Sequence, residues 1–166
     1  MRDGTIIAIP GADSGGGHIR FDDPLVGKSK LRVQISKDDW KTVEAHTASI
    51  HVPLAEFFLA VRGLIELKDG RLLMTMYGRM NGDRAREDSP VGFELNNPWI
   101  KTRVIVVQST DRGRSWKYLS TVSYNPQLGF EGQNENDLIR LPNGLLATFM
   151  RTGIHGYVDV HGRESL

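Results

Sequence analysis

The residues of this chain best suited to chemistry are Glu135 and Arg151, which stand sixteen positions apart in the segment GFEGQNENDLIRLPNGLLATFMRTG. A carboxylate can accept a proton, and a guanidinium binds carboxylates in a planar, bidentate geometry that lysine does not match. The Asn143-Gly144 pair between them is a strong signal for a hairpin turn. Because strand residues advance about 3.3 Å each, two strands around this turn bring Glu135 and Arg151 to the same end of the hairpin. The alternative is a solvated ion pair at a strand end, worth under about 1 kcal/mol.

The strands that must position this pair belong to a repeat. A turn followed by an apolar run recurs as DGTIIAI, KDGRLLMTM and PNGLLATFM, with Gly4, Gly70 and Gly144 separated by 66 and 74 residues. Short runs rich in Val, Ile, Leu, Thr and Tyr lie between these markers, and no useful stretch shows helical periodicity. The pattern predicts four antiparallel strands per repeat, the unit of a β-propeller blade.

An octet, STDRGRSW, occupies Ser109 to Trp116 between two strand-like runs. Asp111 and the neighbouring serine hydroxyls can bond backbone N–H groups across a turn, Gly113 can take a positive φ, and Trp116 can pack between sheets. SKDDW is a decayed partner of the octet, with Trp40 aligned to Trp116 at a distance of 76 residues. The octet is therefore interpreted as a structural turn, and Asp111 is not a catalytic candidate.

The octet resembles the Asp box (bacterial neuraminidase repeat) of the sialidase superfamily, and the segment from Glu135 to Arg151 resembles a strand pair of the same family. The resemblance covers residues from about Phe57 to Gly153. It implies a six-bladed β-propeller and an exo-acting glycoside hydrolase that removes terminal sialic acid or a related acidic sugar. Arg151 would then bind the substrate carboxylate as part of an arginine cluster. Glu135 would be the base that draws the proton from a tyrosine nucleophile.

The same resemblance suggests two further site residues. The general acid of sialidases is a loop aspartate, and the polar loop YGRMNGDRAREDSPVG offers Asp83 and Asp88, of which Asp83 has the better context after the Asn81-Gly82 turn. AVRGLIELKDG resembles the segment of another cluster arginine, which makes Arg62 a second substrate-binding candidate. The alternatives are a solvated loop aspartate and an arginine at a blade rim. None of the four tyrosines matches the context of the nucleophile.

Composition argues against several other classes. With 21 Lys and Arg against 20 Asp and Glu, the chain lacks the basic patch that nucleic acid requires. No signal peptide or membrane-spanning run is visible, and the absence of cysteine leaves the compartment open. The five histidines lack metal-ligand spacing, and neither GKS nor GADSGGGH completes a phosphate-binding motif. We therefore expect no metal, no cofactor, no nucleic acid and no membrane.

The expected architecture is an all-β partial propeller with repeats at about 1–56, 57–130 and 131–166. A closed ring of six such repeats would need more than twice this length, so the sequence suggests a fragment, a truncated reading frame or an unusual assembly. Its open blade edges would favour self-association. Two functions remain open. One is a sialidase-type hydrolase acting on sialylated or other acidic glycans, with the isolated chain inactive. The other is a non-catalytic propeller that binds glycans or proteins.

Overall fold

The regular structure of this protein is built from β-strands alone. A computed structural model describes residues 1–12, 17–83, 101–126 and 132–153. Within these residues there are ten strands and no helix long and apolar enough to cross a membrane. The strands are β1 (Ile6–Ala12), β2 (His18–Arg20), β3 (Lys28–Ser36), β4 (Glu44–His51), β5 (Ala55–Glu66), β6 (Leu72–Met80), β7 (Arg103–Ser109), β8 (Ser115–Ser123), β9 (Gly132–Arg140) and β10 (Leu146–Gly153).

The four strands of the second repeat form one antiparallel meander. Each of β5, β6, β7 and β8 pairs with the next along the chain. Most residues of β6 are buried, because the strand lies in the middle of the sheet and β9 packs on the same region. This arrangement is the four-stranded antiparallel unit that the sequence predicts for a propeller blade.

The first repeat joins this meander edge to edge. Strands β1, β3 and β4 are antiparallel to one another, and a short parallel pairing of Ser49–His51 with Ser115–Lys117 connects β4 to β8. The short strand β2 pairs with the beginning of β5 at the opposite edge. One apolar cluster joins the two repeats and includes Leu31 and Ile50 from the first and Met76 and Trp116 from the second. The fold of the described residues is therefore all-β and consistent with a β-propeller.

The hairpin of β9 and β10 forms a separate two-stranded sheet that packs against β5, β6 and β7. The contact is close at Gly63, where a Cβ atom would lie 2.3 Å from the backbone nitrogen of Leu138. A second contact is an isolated parallel bridge between Thr102 and Gly132. The Thr102 hydroxyl also donates a hydrogen bond to the Gln133 carbonyl at 2.8 Å. These contacts fix the hairpin against the second repeat.

The two rims of the sheets differ in their connections. At one rim, here called the short-turn rim, β3–β4, β5–β6, β7–β8 and β9–β10 are joined by connections of five to seven residues. At the other, the long-loop rim, three residues join β4 to β5, while β6–β7 and β8–β9 are joined through residues 81–102 and 124–131. Long connections carry binding and catalytic residues more often than tight turns do. A functional site is therefore expected at the long-loop rim.

The octet at Ser109–Trp116, here called the octet turn, is held by its own side chains. The Asp111 carboxylate accepts hydrogen bonds from the Ser115 N–H at 2.8 Å and from the hydroxyls of Ser109 and Ser115 at 2.7 and 2.6 Å. The Gly113 N–H donates to the Ser109 hydroxyl at 2.8 Å. Trp116 is 1% exposed and donates its indole N–H to the Gly113 carbonyl. These contacts match the structural turn predicted from the sequence.

The corresponding turn of the first repeat has the same hydrogen bonds. The Trp40 N–H donates to the Ser36 hydroxyl at 2.8 Å, and the Thr42 N–H donates to the Asp38 carboxylate at 2.9 Å. The Thr42 hydroxyl donates to the same carboxylate at 2.7 Å. Ser36 therefore corresponds to Ser109, which sets the offset between the two turns at 73 residues.

This offset corrects the predicted alignment of Trp40 with Trp116. In the structure Trp40 stands where the octet turn has Gly113, and Val43 stands where it has Trp116. Trp40 has a φ of 65° and is 42% exposed, so it is not a wedge between sheets. The alignment was wrong because it followed the residue type and not the hydrogen-bonded frame of the turn.

Candidate functional site

The structure brings Glu135 and Arg151 together at the long-loop end of the third-repeat hairpin. The Arg151 Nη2 atom lies 3.3 Å from Glu135 Oε1, and their side chains are 41% and 53% exposed. Arg151 is the backbone partner of Asn134 in the pairing of β10 with β9. The pair thus has the proximity that the Asn143-Gly144 hairpin predicts, and it faces solvent.

A β-bulge presents the Glu135 side chain. The pairing of β9 with β10 shifts register between Phe149 and Arg151, and Glu135 lies within the shift with a φ of 39°. A positive φ is rare for a residue with a Cβ atom and persists only where the surrounding structure requires it. Asn134 and Asn136 on either side are 3% and 0% exposed. The bulge therefore turns one carboxylate outward from an otherwise buried stretch.

Asn134 is a site neighbour that the sequence reasoning missed. Its side-chain oxygen accepts a hydrogen bond from Arg151 Nε at 3.0 Å. Because the guanidinium is planar, a bond at Nε together with the Nη2 contact to Glu135 restricts its orientation. The available signal was the run of amides in GQNEN, which is unusual for a strand interior and indicates buried polar contacts.

Asp83 has a different set of contacts. It is 3% exposed, and its carboxylate accepts hydrogen bonds from the Met80 N–H at 2.9 Å and from Arg103 Nε at 2.7 Å. Arg103 Nη2 bonds the second carboxylate oxygen, so the ion pair is bidentate. The Arg103 guanidinium also lies 4.2 Å from the ring centre of Tyr124. This cluster joins the end of β6 to the start of β7, and these contacts favour a structural role for Asp83.

Arg62 and Asp88 are less fully described. The backbone of Arg62 falls in the irregular part of the β5–β6 pairing, between Ala60 and Leu64, and its side chain lies outside the described residues. Asp88 also lies outside them. The structure therefore groups Glu135 with Arg151, places Asp83 with Arg103, and leaves the roles predicted for Asp83 and Arg62 as predictions.

A second Glu–Arg ion pair in this fold is largely buried and serves as a comparison for the exposure of Glu135 and Arg151. Glu56 on β5 contacts Arg79 on β6, and their side chains are only 18% and 20% exposed. The Arg79 guanidinium also lies 5.8 Å from the ring centre of Phe57. Glu135 and Arg151 are at least twice as exposed as this pair, so a ligand could reach them directly.

Lys101 is an unusual cation beside the start of β7. The residue is 0% exposed, and burial lowers the pKa of its ammonium group. It precedes Thr102, whose hydroxyl bonds the Gln133 carbonyl next to Asn134. Lys101 thus lies at the end of the connection 81–102, next to the residue that bonds the strand carrying Glu135. No group of three or more metal-ligating side chains occurs within the described part of the chain.

Comparison with known proteins gives a structural likeness only. No protein-family model matches the chain, and neither does any curated protein sequence. The fold is similar to that of a Hadza microbial sialidase, Hz136, with 18% identity and a TM-score of 0.50 over 74% of this chain. The chain spans about a fifth of that sialidase, with 20% of its length covered. A protein of unknown function from Dyadobacter fermentans matches at 19% identity and a TM-score of 0.37, over 95% of this chain and 61% of that one. The described residues thus have a sialidase-like fold.

Proposed function

We propose that this chain is part of a six-bladed, sialidase-type exo-glycoside hydrolase acting on terminal sialic acid or a related acidic sugar. The observation that carries the proposal is the solvent-facing Glu135–Arg151 pair, 3.3 Å apart, at the long-loop end of a hairpin in a sialidase-like fold. The Asp-box resemblance of the octet turn supports the same architecture.

Arg151 would recognise the carboxylate of the substrate. A guanidinium is suited to planar carboxylate recognition, and Asn134 already orients this one through Nε. To bind the substrate, Arg151 must release Glu135. An ion pair as exposed as this one stabilises by under about 1 kcal/mol. An incoming acidic sugar can therefore compete with Glu135 for Nη2 at little cost.

Glu135 would act as the base that removes the proton from a tyrosine nucleophile. A neutral tyrosine hydroxyl is not repelled by the substrate carboxylate, whereas an attacking carboxylate would be. Once the substrate occupies Arg151, the Glu135 carboxylate is released from its ion pair and can accept a proton. We assign no tyrosine of this chain to the nucleophile. Asp83 as general acid and Arg62 as a second carboxylate-binding arginine remain part of the proposal.

The second candidate function is a non-catalytic propeller that binds glycans or proteins. It is favoured by the buried, bidentate pairing of Asp83 with Arg103. This pairing explains Asp83 as a structural residue without a catalytic role. In that case Glu135 and Arg151 would be charged rim residues that bind a ligand but do not hydrolyse it.

Binding measurements on the purified chain separate these functions. N-acetylneuraminate would be compared by calorimetry with its planar 2,3-didehydro analogue, whose ring is flattened like the transition state of glycoside hydrolysis. A hydrolase site should bind the planar analogue at least about tenfold more tightly, because catalytic sites are complementary to the transition state. Equal affinities within a factor of about two would favour the non-catalytic propeller. No measurable binding of either sugar would count against the hydrolase and against a propeller that binds acidic glycans.

A further inference from the structure

The strongest feature outside the Glu135–Arg151 site is a cleft on the short-turn rim. It has a volume of about 580 Å³ and opens between the first repeat and the octet turn. Strands β1, β3 and β4 supply Ile7, Ile35, Glu44 and His46, while Lys37 and Arg114 come from the two turns. We propose that this cleft binds a small carboxylated sugar, independently of the function proposed above.

The charges of the cleft suit a monoanion. Asp3 and Arg112 form an ion pair on one wall and largely neutralise each other. In the part of the chain that the structure describes, no ion pair involves Lys37, Glu44 or Arg114, although all three line the same space. Two cations and one carboxylate therefore remain for a ligand. The cations match a carboxylate, and Glu44 can accept hydrogen bonds from sugar hydroxyls.

A polar atom in the cleft also lacks a partner. The Nε2 atom of His46 is buried and has no hydrogen-bond partner among the residues that the structure describes. A buried nitrogen without a partner costs free energy, which a ligand hydroxyl could recover. His46 lies on β4 among the residues that line the cleft.

The floor and size of the cleft favour a sugar over a simple anion. Ile7 and Ile35 are half-buried apolar residues that offer a surface for the C–H face of a pyranose ring. The volume of about 580 Å³ lies within the usual range for small-molecule sites, roughly 300–1,000 Å³. Lys37, Arg114 and Glu44 together carry one net positive charge, which one carboxylate neutralises and a doubly charged phosphate ester would exceed.

The test uses D-glucuronate and D-glucose, which differ by the carboxylate, as calorimetric titrants of the purified chain. We expect D-glucuronate to bind in about the millimolar range and D-glucose at least tenfold more weakly. Lys37→Gln should weaken D-glucuronate binding by about tenfold. The matched control is Lys41→Gln, which removes an exposed lysine of the same turn that does not line the cleft and should leave the affinity unchanged.

A third variant separates this cleft from the long-loop rim. Arg151→Gln removes the carboxylate-binding group of the other site, so D-glucuronate binding that persists in this background belongs to the cleft. Equal affinity for the two sugars, equal effects of Lys37→Gln and Lys41→Gln, or loss of binding in Arg151→Gln alone would each overturn the proposal. Because Lys37 and Lys41 are exposed, neither change should unfold the chain, and circular dichroism would verify this.

Discussion

Glu135 owes its outward position to one backbone conformation. Its φ of 39° and the register shift beside it place a carboxylate in solvent between two buried asparagines. Neither feature follows from residue type, since glutamate ordinarily avoids a positive φ. The sequence predicts the proximity of Glu135 and Arg151 through the length of the hairpin. It does not predict the bulge, because bulges depend on how a strand fits its neighbours.

Asn134 should control the orientation of the Arg151 guanidinium. Asn134→Leu keeps the size of the side chain and removes the acceptor for Nε, now 3.0 Å away. We expect the affinity for N-acetylneuraminate to fall about fivefold to tenfold, because the guanidinium loses one of the contacts that restrict it. Calorimetry on the two proteins would measure the change. An unchanged affinity together with an unchanged melting temperature would show that Asn134 does not position Arg151.

Asp111 should stabilise the octet turn in a pH-dependent way. Burial by itself raises the pKa of Asp111, but hydrogen bonds from Ser115 and Ser109 outweigh it and hold the pKa below the usual 3.8. A carboxyl with a lowered pKa contributes stability above about 3.8, and this contribution is lost as the pH falls through the folded-state value.

Asp111→Ala should therefore lower the free energy of unfolding by about 1 to 3 kcal/mol at neutral pH, mainly through donors left without a partner. Urea denaturation between pH 3 and pH 7 would follow the difference from the unmodified protein, which should narrow toward the acid end. A difference that grows as the pH falls would contradict the assigned hydrogen bonds.

At the scale of the elements, the repeated turn shows what sequence comparison can and cannot align. The strands and the hairpins at Gly70 and Gly144 follow from apolar runs and Asp-Gly or Asn-Gly pairs, and the structure has them. The sequence comparison finds the first-repeat turn but aligns it wrongly, because it matches Trp40 with Trp116 by residue type. The conserved physical feature is the set of bonds from Ser36 and Asp38 to the backbone, which only the structure shows.

Trp40 should be a source of strain in the first-repeat turn. It occupies the position of Gly113 with a φ of 65°, where a residue without a Cβ atom is favoured. Trp40→Gly should therefore be neutral or stabilising by up to about 1 kcal/mol, since Trp40 is 42% exposed and loses little burial.

The matched change is Gly113→Ala, which introduces a Cβ atom at a φ of 86° and should cost about 1 kcal/mol or more. Thermal unfolding of both variants would compare the two turns. A large destabilisation by Trp40→Gly would mean that the indole packs in a way that its exposure does not reveal.

At the scale of the whole molecule, the two rims carry different contacts and connections. Tight turns, the ion pair of Arg112 with Asp3 and a hydrogen bond from the Arg2 N–H to Glu66 occupy the short-turn rim. The Glu135–Arg151 pair and the described ends of the two long connections lie at the other rim. The order of the strands in the sequence predicts which connections share a rim, because successive antiparallel strands place every second connection at the same end of the sheet.

The third-repeat hairpin should drive self-association of the purified chain. Leu145, Leu146 and Phe149 are 62%, 43% and 69% exposed, and in the described residues β10 pairs only with β9. Exposed apolar residues beside an unpaired edge favour association with another chain. We expect light scattering to detect dimers or larger species at micromolar concentrations, and Phe149→Lys to reduce them. A monodisperse monomer would contradict this expectation.

The same preparation should not hydrolyse a fluorogenic sialoside, because no tyrosine of the chain matches the nucleophile that Glu135 would activate. The assay measures fluorescence release against a buffer blank and against Glu135→Gln. Turnover that Glu135→Gln abolishes would show that the nucleophile is present and that the tyrosine contexts were misinterpreted.

The central claim is that Arg151 binds the carboxylate of an acidic sugar, and a titration of N-acetylneuraminate into three proteins tests it most directly. The unmodified chain is compared with Arg151→Gln and with Arg140→Gln, which removes an exposed arginine at the opposite end of β9. We predict that Arg151→Gln weakens binding by at least about tenfold, the value of one charged hydrogen bond, and that Arg140→Gln has no effect. All three proteins carry Lys37→Gln, which weakens binding in the cleft on the short-turn rim about tenfold. Equal affinities of all three proteins in that background would show that Glu135 and Arg151 are only a surface ion pair.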